Sequence, residues 1–203
     1  YRRFVLGEWA AAEGLVYDFF GPELVQPVPE SLDGPWYISC DYGTVNPTSM
    51  GLWGQKGGVW YRTAEFYYDS RKTGRQQTDG EYADDLARLA GGRDIRGVVL
   101  DPSAASFREE LIRRGWTVYR AENEVLSGIR RTAELLRAGQ LVICSPCEDA
   151  IREFGLYRWD TAATGDRVVK EHDHAMDDIR YFAVTVASRR SEGFFAGAVE
   201  RSG

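Results

Sequence analysis

Apolar positions in this chain follow two spacings. From residue 36 they come as short unbroken or alternating runs. These are Trp36-Tyr37-Ile38-Ser39-Cys40, Ser49-Met50-Gly51-Leu52-Trp53, and Val59-Trp60-Tyr61-Arg62 on to Tyr68. Their aromatic and branched content predicts strands over residues 36–42, 49–53 and 59–68. Residues 43–47 turn between the first two, and Gln55-Lys56-Gly57-Gly58 is a hairpin turn before the third. Short turns between consecutive strands make an antiparallel meander. A polar, basic loop follows at residues 70–75. The spacing then becomes helical: Thr78 and Glu81 form a capping box, with Tyr82, Leu86 and Leu89 on one face.

Strand and helix alternate from there. Val98-Val99-Leu100 is a short apolar run suited to a central parallel strand. Ser103 is placed to cap a helix carrying Phe107 and Leu111, and residues 117–120 form the next strand. Val125, Ile129, Ala133 and Leu136 mark a helix closed by Gly139. Residues 141–144 give a last strand. Ser145, Pro146 and Glu148 read as N-cap, first helical residue and capping-box acid of the next helix. Residues 157–160 and 167–170 pair as a hairpin turning at Thr164-Gly165-Asp166, and Ala175, Ile179, Phe182 and Val186 mark a final helix. Three antiparallel strands, then βα alternation, then a hairpin and a helix predict an α/β protein with a ribonuclease H-like mixed β-sheet flanked by helices.

At 203 residues the chain suits one domain with extensions. Residues 1–35, rich in Gly and Pro, read as a linker or wrapping arm anchored by Trp9, Tyr17, Phe19 and Phe20. Residues 36–187 form the domain, and 188–203 a loose tail. No P-loop pattern occurs, no apolar run would span a bilayer, and no secretory leader opens the chain. The absence of an initiator Met is what a piece of a longer chain would show. Cys40, Cys144 and Cys147 read as reduced thiols; Cys144 and Cys147 have C-x-x-C spacing without the second pair that a zinc site needs. A net charge of −6 argues against coating nucleic acid by bulk attraction, but not against cutting it.

Two acids stand where strands end, Asp41 after the first and Asp101 after the central parallel one. Carboxylates at the exits of buried strands are costly unless something binds them. A third acid comes from the start of the final helix, in His172-Asp173-His174-Ala175-Met176-Asp177-Asp178. Asp177 lies nearly opposite the apolar stripe and Asp178 borders it, so periodicity does not choose between them. His174 shares a helix face with Asp177. Such a set suits two divalent cations about 3.5–4 Å apart, Mg²⁺ or Mn²⁺, and phosphodiester cleavage. Without metal, mutual repulsion should raise at least one carboxyl pKa. Arg167, Lys170, Arg71, Lys72 and Arg75 are candidate phosphate contacts. Turn formation at Asp41 and Asp101, and the helix dipole at Asp173, Asp177 and Asp178, are the plain structural explanations.

The ordered set Tyr37-Ile-Ser-Cys-Asp41-Tyr-Gly-Thr44, Val98-Val-Leu-Asp101-Pro-Ser103 and Asp173-His174-Ala-Met-Asp177-Asp-Ile-Arg-Tyr181 resembles the nuclease domain of tailed-bacteriophage terminase large subunits. Residues 1–17 resemble the stretch joining their ATPase motor to that nuclease. The resemblance implies an endonuclease that cuts concatemeric double-stranded viral DNA during packaging. By motif position Asp41, Asp101 and Asp177 match its acidic triad, and His174 an auxiliary metal or water-orienting residue. It also implies an ATPase domain in the full-length chain, a small terminase subunit and a portal protein as partners, and action in the host cytoplasm rather than the mature virion. Two other readings share these residues: another ribonuclease H-like enzyme, such as a junction resolvase or transposase, and a non-enzymatic, metal-stabilised docking module of the packaging machine.

Overall fold

The computed structural model describes residues 14–188. Seven strands build one mixed sheet: β1 (Val25–Gln26), β2 (Trp36–Asp41), β3 (Thr48–Lys56), β4 (Val59–Tyr68), β5 (Ile95–Leu100), β6 (Val118–Arg120) and β7 (Leu141–Cys144). They lie in the order β1-β7-β4-β3-β2-β5-β6. β2, β3 and β4 are antiparallel, while β5, β6 and β7 add in parallel. The helices are α1 (Ser70–Thr73), α2 (Asp79–Ala90), α3 (Ala105–Arg113), α4 (Val125–Arg137), α5 (Glu148–Phe154) and α6 (His174–Phe182), the last running on as a π-turn over Ala183–Ala187. This is the mixed α/β sheet that the strand order predicts.

Both faces of the sheet are covered, which explains why β3 is buried over all but its last residue. On one face Ile38, Cys40, Met50, Leu52, Val98 and Leu100 pack with Tyr82 and Leu86 of α2 and Phe107 and Leu111 of α3. On the other, Trp53, Trp60 and Ile143 meet Ile129 and Leu136 of α4, Phe154 of α5, and Met176, Ile179 and Phe182 of α6. Trp53 and Phe182 stack with ring centroids 4.2 Å apart.

Alternation along the strands then aims the acids. Ile38 and Cys40 of β2 face α2 and α3, so Ser39 and Asp41 face α6. Val98 and Leu100 of β5 do the same, so Val99 and Asp101 face α6, where Tyr181 meets both. β2 and β5 run parallel with Cys40 opposite Leu100, which brings Asp41 and Asp101 to the same sheet edge.

Several local expectations change. Residues 70–75 hold the short helix α1, capped by Asp69 and ended by Gly74 at φ 69°. Ser103 does not cap α3; Ala104 stands at that position, and the Ser103 N–H donates to Asp101 Oδ1 (2.7 Å). Ser145 and Pro146 lie outside α5, whose N-cap is Cys147. The free N–H groups of Asp149 and Ala150 instead donate to Glu65, reaching over from β4. The hairpin of residues 157–170 is held by one antiparallel bridge, Trp159 to Val168, with Gly165 at φ 98° in its turn. Tyr17 and Phe20 are buried in the core beside Phe154, and β1 extends the sheet beside β7. Trp9 and the tail beyond residue 188 lie outside the described residues. Cys40, Cys144 and Cys147 are buried free thiols.

Candidate active site

Helix α6 brings its side chains to the edge where β2 and β5 end. Its first turn is fixed from outside: the Ala175 N–H donates to Glu153 Oε2 (2.7 Å), a buried carboxylate of α5 that also accepts from the Tyr67 hydroxyl (2.6 Å). Such an acceptor satisfies an otherwise unpaired N-terminal donor and favours the helix dipole. His172, just before the helix, has φ 54°, the left-handed region that costs a non-glycine residue strain.

Each strand-end acid then meets one α6 side chain. His174 Nδ1 lies 2.9 Å from Asp41 Oδ2. The Tyr181 hydroxyl donates to Asp101 Oδ2 (2.6 Å). Asp177 accepts from Arg180 Nη2 (2.8 Å), and the same guanidinium donates to the backbone carbonyls of Asn123 and Glu124. Asp178, the alternative third acid, faces inward. It is fully buried and holds both terminal nitrogens of Arg62, with hydrogen bonds from Ser39 (2.8 Å) and Ser49. Its charge is matched.

Electrostatics separate these acids. Asp41 is pushed up to about 7, first by burial and then by the neighbouring Asp177 and Asp178, against the opposing bond from His174. Burial alone would lower His174, but Asp41, Asp173 and Glu153 raise it overall. Burial would raise Asp101, yet Ser103, Tyr181 and Arg180 hold it below the usual carboxylate range. Asp173 is raised, by burial and then by Asp177.

Asp41, His174 and Asp177 line a groove of about 770 Å³ with Asp173 and His172. Lys170, Arg71 and Lys72 line the same groove, together with Tyr67 and Arg152, which the sequence pattern does not single out. Lys170 Nζ lies 3.6 Å from Asp173 and 3.8 Å from Asp177. Two other candidate cations lie elsewhere. Arg75 pairs with Glu81 on the first turn of α2. Arg167 lines a separate hollow of about 620 Å³ against Val125 and Leu126, which Lys170 also reaches.

Among the described residues no three His, Cys, Asp or Glu side chains are gathered as a ready ion cage. Asp41 and Asp177 line the groove, whereas Asp101 is not among its lining residues and is held by Ser103 and Tyr181. The donor set nonetheless fits a hard divalent cation. It is all carboxylate oxygen, the ligand type such a cation takes, and Asp41 and Asp177 share one groove.

Solved structures similar to this chain come from bacteriophages. The large terminase of a thermophilic bacteriophage, in complex with ADP, is 43% identical with a TM-score of 0.83; the match covers 89% of this chain and 47% of that one. This chain therefore spans about half the length of that relative. The P22 large terminase nuclease domain is 18% identical with a TM-score of 0.69, covering 89% of this chain and 95% of that one. The large terminase nuclease from thermophilic phage G20c, with bound magnesium, is 16% identical with a TM-score of 0.63, covering 85% and 97%; the same nuclease has also been solved with bound cobalt. The last two likenesses show the fold. No protein-family model matches the chain, and no curated protein does.

Proposed function

We propose, from the premise that this chain belongs to the terminase large subunits of tailed bacteriophages and carries the fold of their nuclease domain, that it is a metal-dependent endonuclease cleaving double-stranded viral DNA concatemers during genome packaging. One observation carries the reading. Asp41 and Asp101 end neighbouring parallel strands and face the helix that brings Asp177 and His174, and Asp41 is raised to about 7, first by burial and then by Asp177 and Asp178.

Asp41, Asp101 and Asp177 would hold two ions, Mg²⁺ or Mn²⁺. Bound there, the pair supplies a nucleophile from water near neutral pH and stabilises the leaving oxygen. The protein's own groups do the rest. His174, fixed through Nδ1 by Asp41, presents its other ring nitrogen toward Asp173 at 3.8 Å, where it can orient water or take a proton. Lys170, Arg71, Lys72 and Arg152 give the groove a basic wall for the phosphates on either side of the cut. Arg75 and Arg167, away from that groove, would meet DNA only along a longer path. Nothing in the site resembles a helix placed to read the major groove, so cleavage by this chain should show little sequence preference. The full-length protein would add an ATPase domain and work with a small terminase subunit and a portal protein in the host cytoplasm, remaining outside the mature virion.

The test is nicking of supercoiled plasmid with Mn²⁺. The chain should nick, and Asp101→Ala should abolish nicking while leaving the thermal melt in place. A chain that binds Mn²⁺ and never cuts would favour the docking-module reading, and activity that survives Asp101→Ala would take Asp101 out of the cutting machinery.

A further inference from the structure

Three α6 side chains, His174, Tyr181 and Arg180, each take one of the three acids: Asp41 and Asp101 at the strand ends and Asp177 on α6 itself. Arg180 and His174 bring charge or a titrating ring to their carboxylates. Tyr181 brings neither. It is 3% exposed, and its phenol is an uncharged hydrogen-bond donor near neutral pH. Its ring packs with Val99 of β5, the strand that Asp101 follows, and with Ala121 just past the end of β6.

Asp101 is thereby held at both ends. Oδ1 accepts the Ser103 N–H at 2.7 Å and Oδ2 accepts the Tyr181 hydroxyl at 2.6 Å. A carboxylate has about four lone-pair directions. Two are taken by neutral donors, which fix the rotamer without cancelling the charge, and the others remain for a cation. Arg180 guides Asp177 differently, since its positive charge competes with whatever the carboxylate would bind. The spacing is regular: His174, Asp178 and Tyr181 stand at i, i+4 and i+7, one stripe of α6 that meets β2, β3 and β5 in turn.

We propose that Tyr181 is a positioning residue that presets the Asp101 carboxylate for a divalent cation, through a hydrogen bond that orients the acid and leaves its charge intact. The proposal rests on the nuclease reading above. It assigns Tyr181 a task beyond core packing, which its burial alone would explain.

The experiment titrates Mn²⁺ by calorimetry into the wild-type chain, Tyr181→Phe, Asp101→Asn and the double variant. Plasmid nicking is followed across Mn²⁺ concentration in parallel, with a melt of each protein. Tyr181→Phe should bind Mn²⁺ about tenfold more weakly. Its half-maximal Mn²⁺ for nicking should rise by the same factor, with a smaller loss of rate at saturating Mn²⁺. In the Asp101→Asn background the same change should cost no further affinity, because the acid through which Tyr181 acts is already neutral. Para-aminophenylalanine at position 181, which restores a donor on the ring, should recover most of the loss and covers the case in which the phenylalanine variant folds poorly. Wild-type Mn²⁺ affinity in Tyr181→Phe, with or without a lower melt, would make the residue an ordinary core aromatic and overturn the proposal. An equal loss in the Asp101→Asn background would do so too. A wild-type chain that neither binds Mn²⁺ nor nicks would instead remove the nuclease reading, and this proposal with it.

Discussion

Asp177 and Asp178 are neighbours in the chain and opposites in the fold. Asp178 is fully buried yet has a bidentate Arg62 and hydroxyls from Ser39 and Ser49. Asp177 is 8% exposed at the groove and shares its surroundings with Asp41 and Asp173. Asp178 sits in a region where every charge has an answer: Arg62 also reaches Glu65, and Glu65 caps α5. Even the backbone makes room, since a Cβ at Gly51 would collide with the Arg62 guanidinium. Asp177 sits at the open groove, answered by Arg180 at 2.8 Å and by Lys170 at 3.8 Å, with Asp41 and Asp173 lining the same groove. A fold that locks one acid into a buried network and leaves its chain neighbour at an open groove uses the first for architecture and keeps the second within reach of a ligand.

The sharpest way to break that contrast is at the edge itself. Asp41→Asn, Asp101→Asn and Asp177→Asn should each lower Mn²⁺-dependent nicking by about a thousandfold or more, roughly 4 kcal/mol of barrier, while the melts stay near wild type. Asparagine keeps an acceptor for Arg180, so the loss at position 177 reads charge rather than packing. If Asp178→Asn silenced a still-folded protein and Asp177→Asn did not, the roles would be reversed.

Next in size comes the paired region. Arg62→Met leaves Asp178 a buried, unanswered charge and should cost about 3–5 kcal/mol of stability in denaturant unfolding. A loss under about 1 kcal/mol would mean that the network holds little together. His174→Ala should be milder, lowering nicking by about 10–100-fold by freeing Asp41 and removing a ring that orients water.

A subtler test uses pH on the chain in EDTA. Asp41 is raised from 3.8 to about 7, and His174 is raised too. Groups with raised folded pKa values add stability that is complete below their unfolded values and lost as pH climbs through the folded ones. The stability from Asp41 is thus lost between about pH 4 and 7, and that from His174 from about 6.5 upward. Asp41→Asn should flatten the fall in melting temperature from pH 5 to pH 8 and melt above wild type at pH 8. An unchanged slope would show that Asp41 is not held above the ordinary carboxylate range in the folded chain. Smallest of all, Lys170→Ala should weaken DNA binding a few-fold and reduce the salt slope by about 1, read in a salt-dependent binding titration.

Much of this layout is written locally. The alternation Ile38-Ser39-Cys40-Asp41 and Val98-Val99-Leu100-Asp101 states which face each acid takes, because strand period needs no partner to define it. Thr78 and Glu81 form the capping box their spacing announces. The misreadings share one cause, contacts made across long stretches of chain. Ser145 and Pro146 look like the start of α5, but the Ser145 N–H is taken by Gln26 of β1 and the first turn of the helix by Glu65. Asp178 could not be told from Asp177 because its partner, Arg62, lies 116 residues away. Tyr181 is legible in the sequence, since it falls seven residues after His174, a helical repeat that puts both side chains on one face of α6.

The little strand β1 has a practical meaning for anyone excising a minimal version of this protein. Val25 and Gln26 cover the outer edge of β7 in parallel, while Tyr17 and Phe20 plug the base of α5. A clone starting at Trp36 would bare the ladder of Leu141–Cys144 and open a hydrophobic seam below it, inviting strangers to pair where residues 14–26 now lie.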